Sequence, residues 1–484
     1  MASSSKKRSK SAVPSLTGLA FKKICKQLEA FVVGKKASAT FVCGGLVPIG
    51  TNVAANSKSS KPISVSPPVR ICWRTDGDNI ARELALPLDA NANPQSASDD
   101  LRQLVAVCDP ASFGRGQQDV IDPEYRKAGK LDPEHFFTSF HPAEFGILPN
   151  VEQVLLPNFN TEAQDSLPFR KLSAELYKLN VYSGPSGLFR QHVDTPRSKT
   201  QIGSLVVCLP SQFKGGDLVV NHEGRQVVFD WDQQSASASQ WAAFYSDCEH
   251  EIKTITEGER ITLTYNLYIT EPVGGSIPPS MIVDPKSFPL YGYLQELIME
   301  PGFMQKGGAL GFYCSHAYPH ASDEAPMLLP RALKGADLVL YSVFKSLGIK
   351  VEVVPVIQED DFRKGDYDMD EEYESLEYDS NPKDSKGKKE DDVNDKLLVG
   401  DKLHPYITTD MTEEFGETLN LNNNNRWKCK HRRGVIWIGS PAHGQSALSY
   451  LAYGNEASIS TIYSYAAMIA KIPPFLKRKG LVDA

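Results

Sequence analysis

From Gly258 to Leu267 the chain reads Gly-Glu-Arg-Ile-Thr-Leu-Thr-Tyr-Asn-Leu, with polar and apolar residues alternating from Arg260 on. An extended strand turns successive side chains to opposite faces. Arg260, Thr262, Thr264 and Asn266 therefore share one face, and Ile261, Leu263, Tyr265 and Leu267 the other. The apolar face packs on a core. The polar face carries a guanidinium, which has two ordinary outcomes: solvent, or a neighbouring Asp or Glu. If that face lines a barrel interior, an unpaired charge is expensive there. A carboxylate-bearing ligand then supplies the partner, gripped by two charge-assisted hydrogen bonds, with the Thr262 hydroxyl as a further donor.

The surrounding texture is that of short strands. They are expected near 173–182, 188–194, 202–210, 217–221, 225–230, 240–253 and 259–269, with turns at Ser183-Gly184-Pro185-Ser186-Gly187, Lys214-Gly215-Gly216 and His222-Glu223-Gly224. Such punctuation suggests a sandwich or barrel. Ahead of it, helical periodicity spans Leu16 to Phe31, strands are expected at Ala37–Pro48 and Pro68–Trp73, and helices at Ser98–Val107 and Pro133–Phe137. Behind it, Leu310–Cys314 and Val351–Ile357 read as strands, Ala336–Leu347 as a helix, Gly434–Gly439 as an apolar segment and Ser458–Ile472 as a helix. Residues 359–396 are highly charged and short of core residues, so they read as a solvated, disordered acidic insertion.

Composition narrows the class. The chain has 484 residues, 41% hydrophobic and 23% charged, as soluble globular proteins do. No apolar run reaches the roughly 18 residues that a membrane helix needs. Residues 1–15 form a polar, basic tail expected to be disordered, in which Lys6-Lys7-Arg8-Ser9-Lys10 is at most a weak nuclear address. A net charge of −7 argues against a broad nucleic-acid surface. The eight cysteines are scattered with no C-x-x-C pair, which points to reduced, mostly buried thiols and a cytoplasmic or nuclear compartment.

The candidate chemistry begins at His192-Val193-Asp194. Residues two apart on a strand point to the same side, so an imidazole and a carboxylate converge. By itself the pair is equally a plain hydrogen-bonded couple. His250, in Cys248-Glu249-His250-Glu251-Ile252, is the best third ligand. Two histidines and one carboxylate on one face of an octahedral ion leave open positions, the arrangement of non-haem Fe(II) oxygenases.

The stretch from about 172 to 270 resembles the 2-oxoglutarate/Fe(II) dioxygenase superfamily, particularly its prolyl 4-hydroxylase branch. The resemblance rests on Tyr182 through Asp194, on the Lys214-Gly215-Gly216-Asp217-Leu218 turn, and on Trp241 to Thr264, where a second histidine is followed about ten residues later by Arg260. The order of these parts is also similar to that of the hypoxia-factor prolyl hydroxylases. Some relatives carry a cosubstrate-binding Tyr on the strand after H-x-D, and Leu205-Val206-Val207-Cys208-Leu209 has none. The resemblance implies a mainly β fold with flanking helices (α+β) and a double-stranded β-helix (jelly-roll or cupin-like) core. It implies Fe(II) on His192, Asp194 and His250, and 2-oxoglutarate with its distal carboxylate on Arg260. Tyr182 and Thr262 become secondary contacts, O₂ a co-reactant and ascorbate a supporting reductant. No catalytic side chain is expected beyond the metal centre. The activity implied is hydroxylation of a protein prolyl residue or a small molecule, with 2-oxoglutarate converted to succinate. The expected division is a dioxygenase domain over 16–280 and a C-terminal α/β region over 281–484, which either selects substrate or buttresses the barrel.

Two other classes compete: a non-catalytic metal- or partner-binding module on the same fold, and a cupin-like isomerase or hydrolase, which has no need of Arg260. Elsewhere, Cys314-Ser315-His316 with His320 has possible metal spacing but reads better as packing or substrate-side residues. Trp73 reads as core, His443 as a loop residue, and His222, beside a glycine turn, as exposed.

Overall fold

The computed structural model describes residues 18–49, 66–74, 80–88, 94–115, 118–159, 170–195, 197–198, 200–270, 282–319, 329–358, 397–400, 429–430, 435–439 and 463–480. The basic tail, the acidic insertion 359–396, His320 and His443 lie outside these residues.

The strands that build the central barrel are, in chain order, Val42–Pro48 (β1), Asp109–Pro110 (β2), Arg126–Lys127 (β3), Gly129–Leu131 (β4), Lys171–Ser183 (β5), Leu188–His192 (β6) and Gln201–Cys208 (β7). They continue with Phe213–Gly215 (β8), Leu218–His222 (β9), Arg225–Phe229 (β10), Ala238–Tyr245 (β11), Glu249–Ile252 (β12) and Ile255–Thr270 (β13). A large sheet runs β1-β11-β7-β13-β5-β4-β2, with β8 attached to β13; a smaller one runs β10-β9-β12-β6-β3. Consecutive strands from β5 to β7 and from β11 to β13 alternate between the sheets, which is the jelly-roll pattern of a double-stranded β-helix. The β13 strand is long because it lies in the middle of its sheet, paired with β5 and β7 along its length. Its alternation is real, yet both faces are buried: Ile261, Leu263 and Leu267 in the apolar core, Arg260, Thr262 and Asn266 on the other side.

Behind the barrel, Gly308–Pro319 (β14), Lys350–Gln358 (β15), Leu397–Gly400 (β16), Cys429–Lys430 (β17), Val435–Ile438 (β18) and Tyr463–Ile472 (β19) form a second sheet in the order β17-β16-β15-β19-β14-β18. Helices Gly18–Ser38 (α1), Pro289–Met299 (α4) and Gly335–Ser346 (α5) share its core, through residues such as Leu28, Val32, Leu294 and Phe344. Two further helices, Pro94–Val107 (α2) and Ile147–Leu155 (α3), pack beside the barrel. Among the described residues, no helix is long and apolar enough to cross a membrane.

Several sequence expectations are corrected. Pro133–Phe137 is not a helix: a single 3₁₀ turn over Pro133–His135 runs into the strand Phe136–Thr138, whose partner is Val69–Arg74. The segment read as one strand over 240–253 is two, broken by a turn at residues 246–248. Tyr463–Ile472 is a central strand rather than part of a helix, flanked by β14 and β15. Its run Ala466 to Ala470 is buried throughout, and a continuous apolar run has no period that separates strand from helix. The seven cysteines whose side chains are described are all free, but only Cys208, Cys248 and Cys314 are fully buried, against the expectation of mostly buried thiols.

Candidate metal centre

His192 ends β6 and His250 lies on β12, and the two are direct cross-strand partners. Cross-strand partners put their side chains on the same face, so the rings meet with centroids 4.2 Å apart. Asp194, two residues beyond His192, joins them, with His250 Nε2 3.7 Å from its Oδ1. The three form a buried group whose ligand atoms all lie within 4.8 Å of one another. The neighbours preset each ligand. His192 Nδ1 lies 2.8 Å from the Arg190 carbonyl and His250 Nδ1 3.1 Å from the Cys248 carbonyl. A carbonyl only accepts, so Nδ1 carries the proton and the Nε2 lone pair is free in both rings. Burial, reinforced by His250, holds the His192 imidazole well below its usual pKa, in the neutral form that ligates. The Ser204 hydroxyl on β7 donates to Asp194 Oδ2, leaving Oδ1 turned toward His250.

Arg260 opens the polar stretch of β13, directly opposite Tyr182 on β5. It is fully buried, and none of its three guanidinium nitrogens has a hydrogen-bond partner. The guanidinium carbon lies 5.2 Å from the Trp231 ring and 5.6 Å from the Tyr182 ring, aromatic contacts that soften the desolvation without replacing an anion. Thr262, buried, is next on the same face, opposite Asn180 and Cys208. Burial pushes the Cys208 thiol up to about 11 against the pull of Arg260, so it offers the guanidinium no charge near neutrality. The Gly215-Gly216 turn closes against this face. Gly216 has φ of +73°, and a Cβ there would lie 2.0 Å from Ile255 Cδ1 and 3.3 Å from Arg260 Cδ. An orphaned, buried guanidinium on a polar inner face, in the same barrel as a His₂Asp group, fits a metal-bound dicarboxylate.

All six sequence-predicted site residues are thus placed: three in the His-Asp-His group, three on one face of the paired strands β5 and β13. Sequence reasoning missed Ser204, Trp231 and Arg126. Arg126, on β3, is buried, donates to Asn180 Oδ1 at 2.9 Å and lies 4.3 Å from the Phe189 ring that stacks on His192. Its only sequence signal was its neighbour Tyr125, and that carries no pattern. His222, expected to be exposed, is buried at the end of β9. Phe41, just ahead of β1, and His316 from the second sheet cover its ring, contacts that a local turn signal does not reveal.

Residues 177–268 match the family model of the 2OG-Fe(II) oxygenase superfamily. This stretch, about a fifth of the chain, belongs to that superfamily, and the family implies Fe(II) and 2-oxoglutarate. No curated protein matches the chain. Among solved structures, a Pseudomonas putida prolyl-4-hydroxylase is 17% identical over 36% of this chain and 84% of that one, with a TM-score of 0.22. A Trichoplax adhaerens prolyl hydroxylase, in complex with a hypoxia inducible factor oxygen degradation domain peptide fragment, is 13% identical over 52% and 94%, with a TM-score of 0.24. A 2OG-Fe(II) oxygenase family oxidoreductase from Burkholderia pseudomallei is 21% identical over 20% and 45%, with a TM-score of 0.17. Likenesses of this size transfer no substrate.

Proposed function

We propose that the protein is an Fe(II)/2-oxoglutarate-dependent dioxygenase that hydroxylates a protein prolyl residue or a small molecule. The observation that carries the reading is the fully buried, partnerless Arg260 guanidinium in the same barrel as the His192-Asp194-His250 group. Iron with 2-oxoglutarate supplies the oxygen chemistry: the cosubstrate is decarboxylated to succinate, and an oxygen atom from O₂ enters a substrate C–H bond. The protein holds and shields. His192 and His250 present Nε2, Asp194 adds the charge that offsets the ion, and Ser204 fixes which carboxylate oxygen is offered. Arg260 takes the distal carboxylate, with Tyr182 and Thr262 flanking it. Trp231, itself buried, walls the guanidinium from water. The order of sequence parts, similar to prolyl hydroxylases, supports a prolyl residue as the first substrate to test.

The test is succinate formation after anaerobic Fe(II) loading, then exposure to O₂ with 2-oxoglutarate and ascorbate, on wild type, His192→Ala and Asp194→Ala in parallel. Succinate is expected from wild type alone, and more with proline-containing peptides if they are substrates. Wild-type turnover in either variant would sink the assignment. A wild-type chain that binds Fe(II) and 2-oxoglutarate yet yields no succinate with any peptide or amino acid offered would instead favour a non-catalytic binding module.

A further inference from the structure

A second His₂Asp group lies outside this centre. His222, Asp247 and His316 bring their ligand atoms within 4.8 Å of one another, as the first group does. Their elements are unrelated in sequence: the end of β9, the turn between β11 and β12, and β14 of the second sheet. The metrics of the first group recur. The two imidazoles have centroids 4.2 Å apart in both groups, and a histidine Nε2 stands 3.7 Å from the carboxylate in both.

The carboxylate is also oriented in the same way. In the first group one oxygen of Asp194 is taken by Ser204 and the other faces a ligand histidine. In the second, Asp247 Oδ1 is taken by the Lys334 ammonium at 2.8 Å, and Oδ2 faces His222 Nε2 at 3.7 Å and His316 Nδ1 at 2.9 Å, with the Ala317 amide donating to it from the side. Lys334 thus occupies the oxygen that a cation on the two imidazoles does not use. His316 is aimed by its backbone. It sits in an irregularity of the β14–β19 pairing between Tyr313 and Ala317, and bulges re-aim side chains. The Asp337 carboxylate accepts the amides of Ser315 and His316 at 2.8 and 3.0 Å, fixing that bulge. His222 Nδ1 is buried without a partner, so no hydrogen bond to that atom ties the ring to another role.

We propose that His222, Asp247 and His316 form a second metal site, for a zinc-class divalent cation, that clasps the barrel to the second sheet. Two imidazoles and one carboxylate are a ligand set for zinc or another borderline first-row ion, with water completing the coordination. In the metal-free chain the His316 Nδ1 proton points at Asp247. Cation binding requires that proton to leave Nδ1, which a shift to the Nε2–H tautomer accomplishes without charging the ring. The proposal does not depend on what the first site catalyses.

The experiment counts ions. Full-length protein, stripped with a chelator and gel-filtered, is loaded with Co(II) and its bound metal measured by mass spectrometry, alongside Asp194→Ala, His316→Asn and the double variant. Two ions per chain are expected in wild type, one in each single variant and none in the double. The one ion of Asp194→Ala should raise its melting temperature over the stripped form, a shift absent from the double variant. One ion in wild type that is lost in Asp194→Ala overturns the proposal, as does an ion in Asp194→Ala that survives His316→Asn. Because Asp194→Ala leaves the second cluster untouched, misfolding of His316→Asn does not blur the result: the count in wild type and Asp194→Ala then decides. One ion that survives Asp194→Ala but not His316→Asn would support this site and count against the first.

Discussion

At the scale of single residues the chain carries an electrostatic debt in Arg260. A buried charge without a partner destabilises the ligand-free fold, while a charge-assisted pair with a dicarboxylate contributes about 1.5–3 kcal/mol. Arg260→Met should therefore do two opposite things: raise the 2-oxoglutarate concentration for half-saturation by roughly 10- to 100-fold, and raise the melting temperature of the ligand-free protein. Calorimetric titration and a thermal melt on the same sample check both signs. Ser204→Ala removes one hydrogen bond to Asp194, and loss of such a supporting contact should weaken metal affinity by about 10- to 100-fold, read by chelator competition. The His-x-Asp pair is legible as a motif, although Asp194 lies two residues past the end of β6, and the Arg260 segment is legible because strand geometry turns its polar residues to one face. Ser204 is not. In Gly-Ser-Leu-Val-Val-Cys nothing marks a serine as the partner of a carboxylate ten residues earlier; only the fold of β7 against the end of β6 decides it.

Secondary-structure elements are legible where they alternate and obscure where they do not. The seven barrel strands expected from sequence lie within a few residues of their places, except that the 240–253 segment hides a turn, and that turn sets Asp247 and the approach to His250. The last strand, β19, reads as a helix because a strand buried on both faces loses its period. The segment C-terminal to β19 locks it in place. Arg478, fully buried, donates to the carbonyls of Pro473, Ile298, Phe303 and Met304, fastening the residues after β19 to the end of α4. Removing it strands several buried acceptors at once, so Arg478→Ala should cost about 3–5 kcal/mol in denaturant unfolding. Arg478→Lys should recover only part of that, since an ammonium does not reproduce the guanidinium fork.

At the scale of the whole molecule, two cores meet through polar side chains. Lys334 reaches Asp247 across 87 residues of sequence, the Gly335 amide donates to the Tyr245 hydroxyl, and Arg170 donates to the Arg331 carbonyl. No local pattern announces contacts between segments so far apart. Burial alone would raise the Asp247 pKa, but Lys334 and His316 more than offset it and hold the carboxyl well below the usual range. Lys334→Ala should therefore cost about 3 kcal/mol, the penalty for taking its ammonium partner from a buried carboxylate that still keeps His316 and the Ala317 amide, measured by chemical unfolding monitored in both cores. Asp247 stands three residues before His250, in the turn that feeds that ligand into the centre. A random-mutagenesis screen for loss of oxygenase activity would accordingly not stop at the edges of the family-matched segment. It should return hits at Lys334, Asp337 and His316, in a part of the gene that family comparison leaves blank, and such alleles would be mistaken for substrate-recognition mutants unless their metal content were assayed.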